Sequence, residues 1–346
     1  MPSVWILPLS AASLAALAGC WVHRNLTEED RLVQALPRRG FTEKQAVLPD
    51  GTVLHYGEGP AGGAPLLLIH GQGVTWQDYA GVLPRLAKRF HVFAVDCHGH
   101  GKSSCDPAKY TAAAMGRDFI RFLEQVVGEP VYLSGHSSGG LLAVWLAANA
   151  PEWVRGVVLE DPPLFSTEMP EKANTFAYQG NFCLIHAYLR QTEETDYLRY
   201  YLDHSPFAEL IGKDWPRLKA AVLRCRERHP DRKPRVWWLP PSVNAIWVSI
   251  SDPYDKRFGD AFYDQSWFAG FDQAEALRRV ACPVIFLKAA TRWRDGVLLA
   301  ALSEEDCVRA CSLIPNCRRM DFPRAGHDIH KERPAAFAAA VEELLS

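Results

Sequence analysis

The 346-residue chain is 48% hydrophobic and 23% charged, the mix of a globular protein with a sizeable core and not of a disordered one. With 38 basic and 40 acidic side chains its formal net charge is −2, so composition shows neither the basic surface of a nucleic-acid binder nor an acidic tail for a basic partner. The length admits one catalytic domain with an insertion, or two domains.

Residues 4–22, VWILPLSAASLAALAGCWV, carry no charged side chain and suffice to cross a bilayer at about 1.5 Å rise per residue. A secretory signal, a membrane anchor and a helix packed on the protein itself are the three readings. A secretory signal opens with basic residues, and MPSVW has none. Leu17-Ala18-Gly19-Cys20 resembles a bacterial lipobox, in which the cysteine is lipidated after cleavage. Arg24, Arg31, Arg38 and Arg39 all follow the apolar segment. Basic flanks stay in the cytoplasm, which favours a membrane tether on residues 1–24 facing the cytoplasm over an exported lipoprotein. Nine cysteines without disulfide-type spacing fit a reducing compartment.

After a polar linker, Gln45–Leu48 and Thr52–Tyr56 flank the turn Pro49-Asp50-Gly51, the pattern of a hairpin. Short wholly apolar runs follow at Leu66–Ile69, Val92–Val95, Val131–Leu133, Val157–Leu159 and Val284–Leu287, as expected of strands buried on both faces. Helical patterns at Tyr79–Lys88, Thr111–Val127, Gly139–Ala148, Glu304–Leu313 and Pro334–Leu345 lie between or after them. The alternation predicts an α/β fold, a mostly parallel sheet with helices on both faces, built from residues 45–163 and 281–346. Residues 164–280 break it: rich in aromatics such as Phe176, Tyr201, Trp215 and Trp247, and too long for a plain loop, they predict an inserted helical cap.

Four motifs carry chemistry. Gly135-His136-Ser137-Ser138-Gly139 sits between a strand and a helix, the G-x-S-x-G nucleophile elbow in its required context. His70-Gly71-Gln72-Gly73 follows the strand at Leu66–Ile69, and Asp96-Cys97-His98-Gly99-His100-Gly101-Lys102-Ser103 follows the next. Ala325-Gly326-His327-Asp328-Ile329-His330 comes after a final strand read at Arg318–Phe322. In this order the motifs resemble the α/β-hydrolase superfamily over residues 45–163 and 281–346; the family commonly has Arg where this chain has His98.

The resemblance implies Ser137 as nucleophile and His327 as general base, with His330 as the alternative, structural histidine. It implies an oxyanion hole from the backbone N–H groups of Gln72 and Ser138. The third triad member stays open. The family carries its acid beyond the strand at Val284–Leu287, where this chain has Thr291-Arg292 and then Asp295 in a stretch similar to the family's Asp-x-Val-Val. Asp161, directly after Val157–Leu159, is the competitor, since some members such as haloalkane dehalogenases place their acid there. Asp295 is the preferred choice.

Cys97, His98, His100 and Cys105 could be read as metal ligands, but the family pattern already accounts for the histidines. Cys307, Cys311 and Cys317 lack a second pair at zinc spacing. No metal and no cofactor is expected, since no G-x-G-x-x-G follows the first strand and no H-E-x-x-H occurs. The expected activity is a serine esterase acting on a lipophilic small-molecule ester, with C–C bond or amide hydrolysis, or non-enzymatic ligand binding, as alternatives; no nucleic acid is expected, and membrane association would run through residues 4–22.

Overall fold

In a computed structural model the molecule is described for residues 11–345. Among the described residues ten strands form: β1 (Thr42–Val47), β2 (Val53–Glu58), β3 (Ala64–Ile69), β4 (Phe90–Val95), β5 (Val131–His136), β6 (Val154–Glu160), β7 (Val284–Ala289), β8 (Trp293–Arg294), β9 (Val297–Leu298) and β10 (Cys317–Phe322). Eight of them make one sheet in the order β1-β2-β4-β3-β5-β6-β7-β10. β1, β2 and β4 pair antiparallel, and every pairing from β4 to β10 is parallel.

The apolar runs explain the centre of the sheet. Leu66, Leu67, Leu68 and Ile69 of β3 are fully buried, because helices cover both faces and each side of the strand must be apolar. Fully burying one such side chain contributes about 1.5–3 kcal/mol. α3 (Ala112–Phe122), α4 (Ser138–Asn149) and α12 (Glu304–Leu313) cover one face. α2 (Leu83–Leu86), α13 (Ile329–Glu332) and α14 (Pro334–Glu343) cover the other.

Residues 164–280 hold α5 (Cys183–Tyr188), α6 (Tyr197–His204), α7 (Phe207–Ile211), α8 (Trp215–Arg228), α9 (Pro241–Ser251), α10 (Lys256–Tyr263) and α11 (Gln273–Arg279). They include no strand among the described residues. Many of the cap aromatics build its own core: Trp215, Trp247, Tyr200 and Tyr201 are buried against Leu218, Val222 and Ile250.

Two expectations change. Residues 25–44 are not a linker, because α1 (Ala11–Ala35) runs straight through the boundary set at residue 24. Its second half is tied down: Asn25 donates to the carbonyl of Leu239, and the nearly buried Arg235 guanidinium bridges Glu29 and Asp30. Leu36, just beyond it, is buried under the sheet. The expected span at residues 4–22 falls partly on residues 1–10, outside the described residues. Among the described residues no helix is long and apolar enough to cross a membrane.

The second concerns Asp295, the preferred acid, which sits at the turn of the short hairpin β8–β9.

Candidate active site

The elbow is built by two close approaches. β5 ends at His136 and α4 starts at Ser138, so Ser137 alone must reverse the chain, at φ +54° and ψ −123°. A Cβ on Gly135 would stand 2.3 Å from the carbonyl oxygen of Gly139, and one on Gly139 would stand 2.3 Å from that of Ile69. No side chain fits either contact, which is the physical content of G-x-S-x-G. The Ser137 N–H donates to the carbonyl of Glu160 at 3.0 Å, holding the strained turn against β6.

The loop after β3 lies against the elbow: a Cβ on Gly71 would be 3.0 Å from the Ser137 Cβ. Buried histidines brace this loop. His70 Nε2 accepts from the Cys97 N–H at 2.9 Å, and its Nδ1 lies 2.7 Å from the Gly71 carbonyl. His100 Nε2 accepts from the Gly73 N–H at 3.0 Å, and its Nδ1 lies 3.0 Å from the His98 carbonyl. Such an acceptor must be neutral, and burial pushes the His100 pKa down to about 3. Ser138 opens α4, so its N–H has no acceptor within the helix. Gln72 and Ser138 line the same cavity as Ser137, and the Gln72 side chain is drawn aside to the Tyr254 hydroxyl at 2.9 Å.

His327 and Ser137 face this cavity together. The His327 Nδ1 lies 2.8 Å from Asp161 Oδ2. Asp161 therefore takes the place beside His327, and Asp295 does not. Asp161 directly follows β6, which pairs with the elbow strand; it is fully buried and accepts from the Ala289 N–H at 3.1 Å through its other oxygen. The Nζ of the buried Lys288 stands 3.8 Å from that oxygen and donates to the Ala289 carbonyl. Asp295 has a 92% exposed side chain, with Arg294 at 3.6 Å as its ion partner. The hairpin turns it out to solvent, where it cannot orient a histidine.

Burial is the largest influence on His327 and opposes charging its ring, but the hydrogen bond and charge of Asp161, reinforced by Asp328 and Glu160, outweigh it and raise the pKa above 6.5. His136 packs beside it, ring centroids 4.5 Å apart, and burial lowers its pKa to about 4, so it stays neutral. His330 is structural. Its Nδ1 lies 2.9 and 3.0 Å from the two Glu160 oxygens and its Nε2 lies 3.1 Å from Asp78, so both nitrogens donate. This chain of Glu160, His330 and Asp78 was not legible in sequence, because its members lie 82 to 252 positions apart and meet only when α13 folds over β6.

Asp78, His136 and His330 bring ligand atoms within 4.8 Å of one another. They do not suit a metal: His330 has no free lone pair as an imidazolium, and Lys331 already pairs with Asp78. His98 Nε2 is taken by Asp118 at 3.0 Å, and Lys109 reaches the same carboxylate, so His98 is committed to a buried polar cluster and not free as a ligand.

The cavity above Ser137 is about 480 Å³, roofed by Phe176, Phe182, Tyr201, Phe207 and Phe262 from the cap. Of these only Phe176 and Tyr201 belong to the aromatics singled out in sequence. Trp237, another cap aromatic, is 59% exposed and does not line this cavity.

Residues 66–340 match the model of the alpha/beta hydrolase family. The chain is 36% identical over 113 residues to the dihydrolipoyllysine-residue acetyltransferase component of the acetoin cleaving system of Cupriavidus necator, covering 33% of this chain and 30% of that protein. It spans about a third of the length of the curated relatives it matches. Among solved structures, an esterase from Exiguobacterium antarcticum superposes with a TM-score of 0.62 at 17% identity, covering 88% of this chain and all of that one. A bacterial membrane phospholipase A superposes with a TM-score of 0.60 at 19% identity, covering 96% of each chain.

Proposed function

The chain belongs to the alpha/beta hydrolase family, and from that premise we propose that it is a serine hydrolase cleaving acyl esters with an apolar acyl group. One observation carries the reading. Asp161 engages His327 Nδ1, which leaves Nε2 for Ser137 at the mouth of a shared cavity. In that arrangement His327 takes the serine proton as Oγ attacks the acyl carbonyl, and the buried Asp161 stabilises the imidazolium that forms. The carbonyl oxygen gains negative charge and meets the N–H groups of Gln72 and Ser138, each such donor worth about 3–4 kcal/mol. The alcohol leaves with a proton from His327, and water then hydrolyses the acyl-serine by the reverse proton path.

The aromatic roof favours an apolar acyl chain. Activity on p-nitrophenyl esters is expected to rise from the acetyl to the octanoyl ester and to vanish in Ser137→Ala. Cleavage of amides or β-diketones in preference to every ester would contradict the ester assignment. A membrane tether through residues 4–22, facing the cytoplasm, belongs to the same proposal. It rests on the uncharged segment followed by Arg24, Arg31, Arg38 and Arg39. Membrane fractionation of the full chain against one lacking residues 1–24 tests it: equal partition of the two into the soluble fraction would contradict it.

A further inference from the structure

A second cavity meets the first at the catalytic pair. It is about 330 Å³ and shares Gln72, Ser137 and His327 with the aromatic one. Ile246 and Ser249 are shared as well, and Val74, Ala245 and Val248 add an apolar strip, but the other walls carry carboxylates, which the aromatic cavity lacks. Gly326, Asp328, Lys331 and Glu332 come from the histidine loop and α13, Lys233 from the cap, and Glu29 from α1.

Chemistry decides which half of an ester each cavity takes, once the hydrolase reading above is accepted. His327 must give its Nε2 proton to the alcohol oxygen as the C–O bond breaks and the acyl group stays on Ser137 Oγ. The leaving oxygen therefore lies within hydrogen-bond reach of His327, on the side of the loop that carries it. That side is the second cavity. The acyl chain then runs the other way, under Phe176, Phe207 and Phe262.

The charges of the second cavity define the alcohol. Four carboxylates, Glu29, Asp78, Asp328 and Glu332, stand against two lysines, Lys233 and Lys331. The lysines are already engaged, Lys233 by Asp252 at 2.7 Å and Lys331 by Asp78, and Glu29 is held by Arg235. Asp328 has the neutral His136 ring at 3.5 Å and the charge of Lys331, which Asp78 already pairs, while Glu332 accepts from the Gly326 N–H at 3.0 Å. Among the described residues both lysines of the lining already have carboxylate partners, and the excess of carboxylates over lysines disfavours a phosphate and suits hydroxyl donors. We infer that this cavity is the leaving-group subsite and takes a neutral polyol, making the substrate an acylglycerol-like ester. α1 is then part of the active site through Glu29.

Three esters of one acyl chain test this: the methyl ester, the 1-acylglycerol and the 1-acylglycerol 3-phosphate. The expected order of kcat/KM puts the acylglycerol at least tenfold above both others. Glu29→Lys is expected to narrow the acylglycerol-to-phosphate ratio at least tenfold, the ratio being read within one variant so that any general loss of activity cancels; Glu29→Gln, which keeps the shape of the side chain, is expected to narrow it less. Equal rates on the three esters, a preference for the phosphate or for a choline ester, or Glu29 variants that lower all three rates alike would overturn the subsite. Failure of the wild type on every ester would instead strike the hydrolase reading on which the subsite rests.

Discussion

Asp161→Asn is expected to lower kcat by about four orders of magnitude with little change in KM, while Asp295→Asn keeps kcat within about twofold. The asymmetry follows from position. Asp161 is fully buried and 2.8 Å from His327 Nδ1, so an amide there removes the charge that stabilises the imidazolium and can hold the ring in the wrong tautomer. Asp295 pairs with Arg294, in solvent. The pH profile adds an independent sign. Only the neutral imidazole can accept the serine proton, so in the wild type kcat/KM falls as pH drops through the His327 pKa, which Asp161 lifts above 6.5. In Asp161→Asn that acidic limb moves to lower pH, because the ring loses its anion. Measuring kcat/KM across pH 5–9 for both variants checks each part. A large loss in Asp295→Asn, with Asp161→Asn active, would reverse the assignment.

Glu160→Gln is expected to destabilise the fold by about 3–5 kcal/mol, read by urea denaturation. Glu160 is fully buried and holds both the ring and the backbone N–H of His330, whose other nitrogen reaches Asp78. Removing one carboxylate leaves the imidazolium half-paired in the interior. Burial, the largest influence, would lower the His330 pKa, yet Glu160 and Asp78 raise it to about 10. A raised folded-state pKa stabilises fully below the unfolded value near 6.5 and is lost as pH climbs through about 10. The gap between wild type and variant should therefore be widest below pH 6.5 and shrink toward pH 10. A gap independent of pH would mean that His330 is not charged in the folded protein.

The elbow was legible because its constraint is local: Gly135 and Gly139 are required by contacts a few residues away, or by a strand that always lies beside β5. The acid beside His327 was not, because the parallel strands β6 and β7 lie side by side and both offer an Asp near their C-terminal ends. What separates them is the short hairpin β8–β9, which carries Asp295 outward, and β-residues numbering two per strand leave almost no sequence pattern. A usable signal existed in Glu160-Asp161-Pro162, two acids closing the apolar run Val157–Leu159, a place where charge is tolerated only if it is paired. The packed half of α1 had a signal too. Leu26, Val33 and Leu36 recur at near-helical spacing, and a polar stretch that keeps such a face is a docked helix and not a linker.

Labelling with a fluorophosphonate tests the central claim most directly, because the probe bonds only to a serine whose proton can be taken. The account predicts one adduct per chain, mapped to Ser137 by peptide mass spectrometry, absent in Ser137→Ala and strongly slowed in His327→Ala. An unlabelled wild type that is folded, or an adduct at another residue, would contradict it.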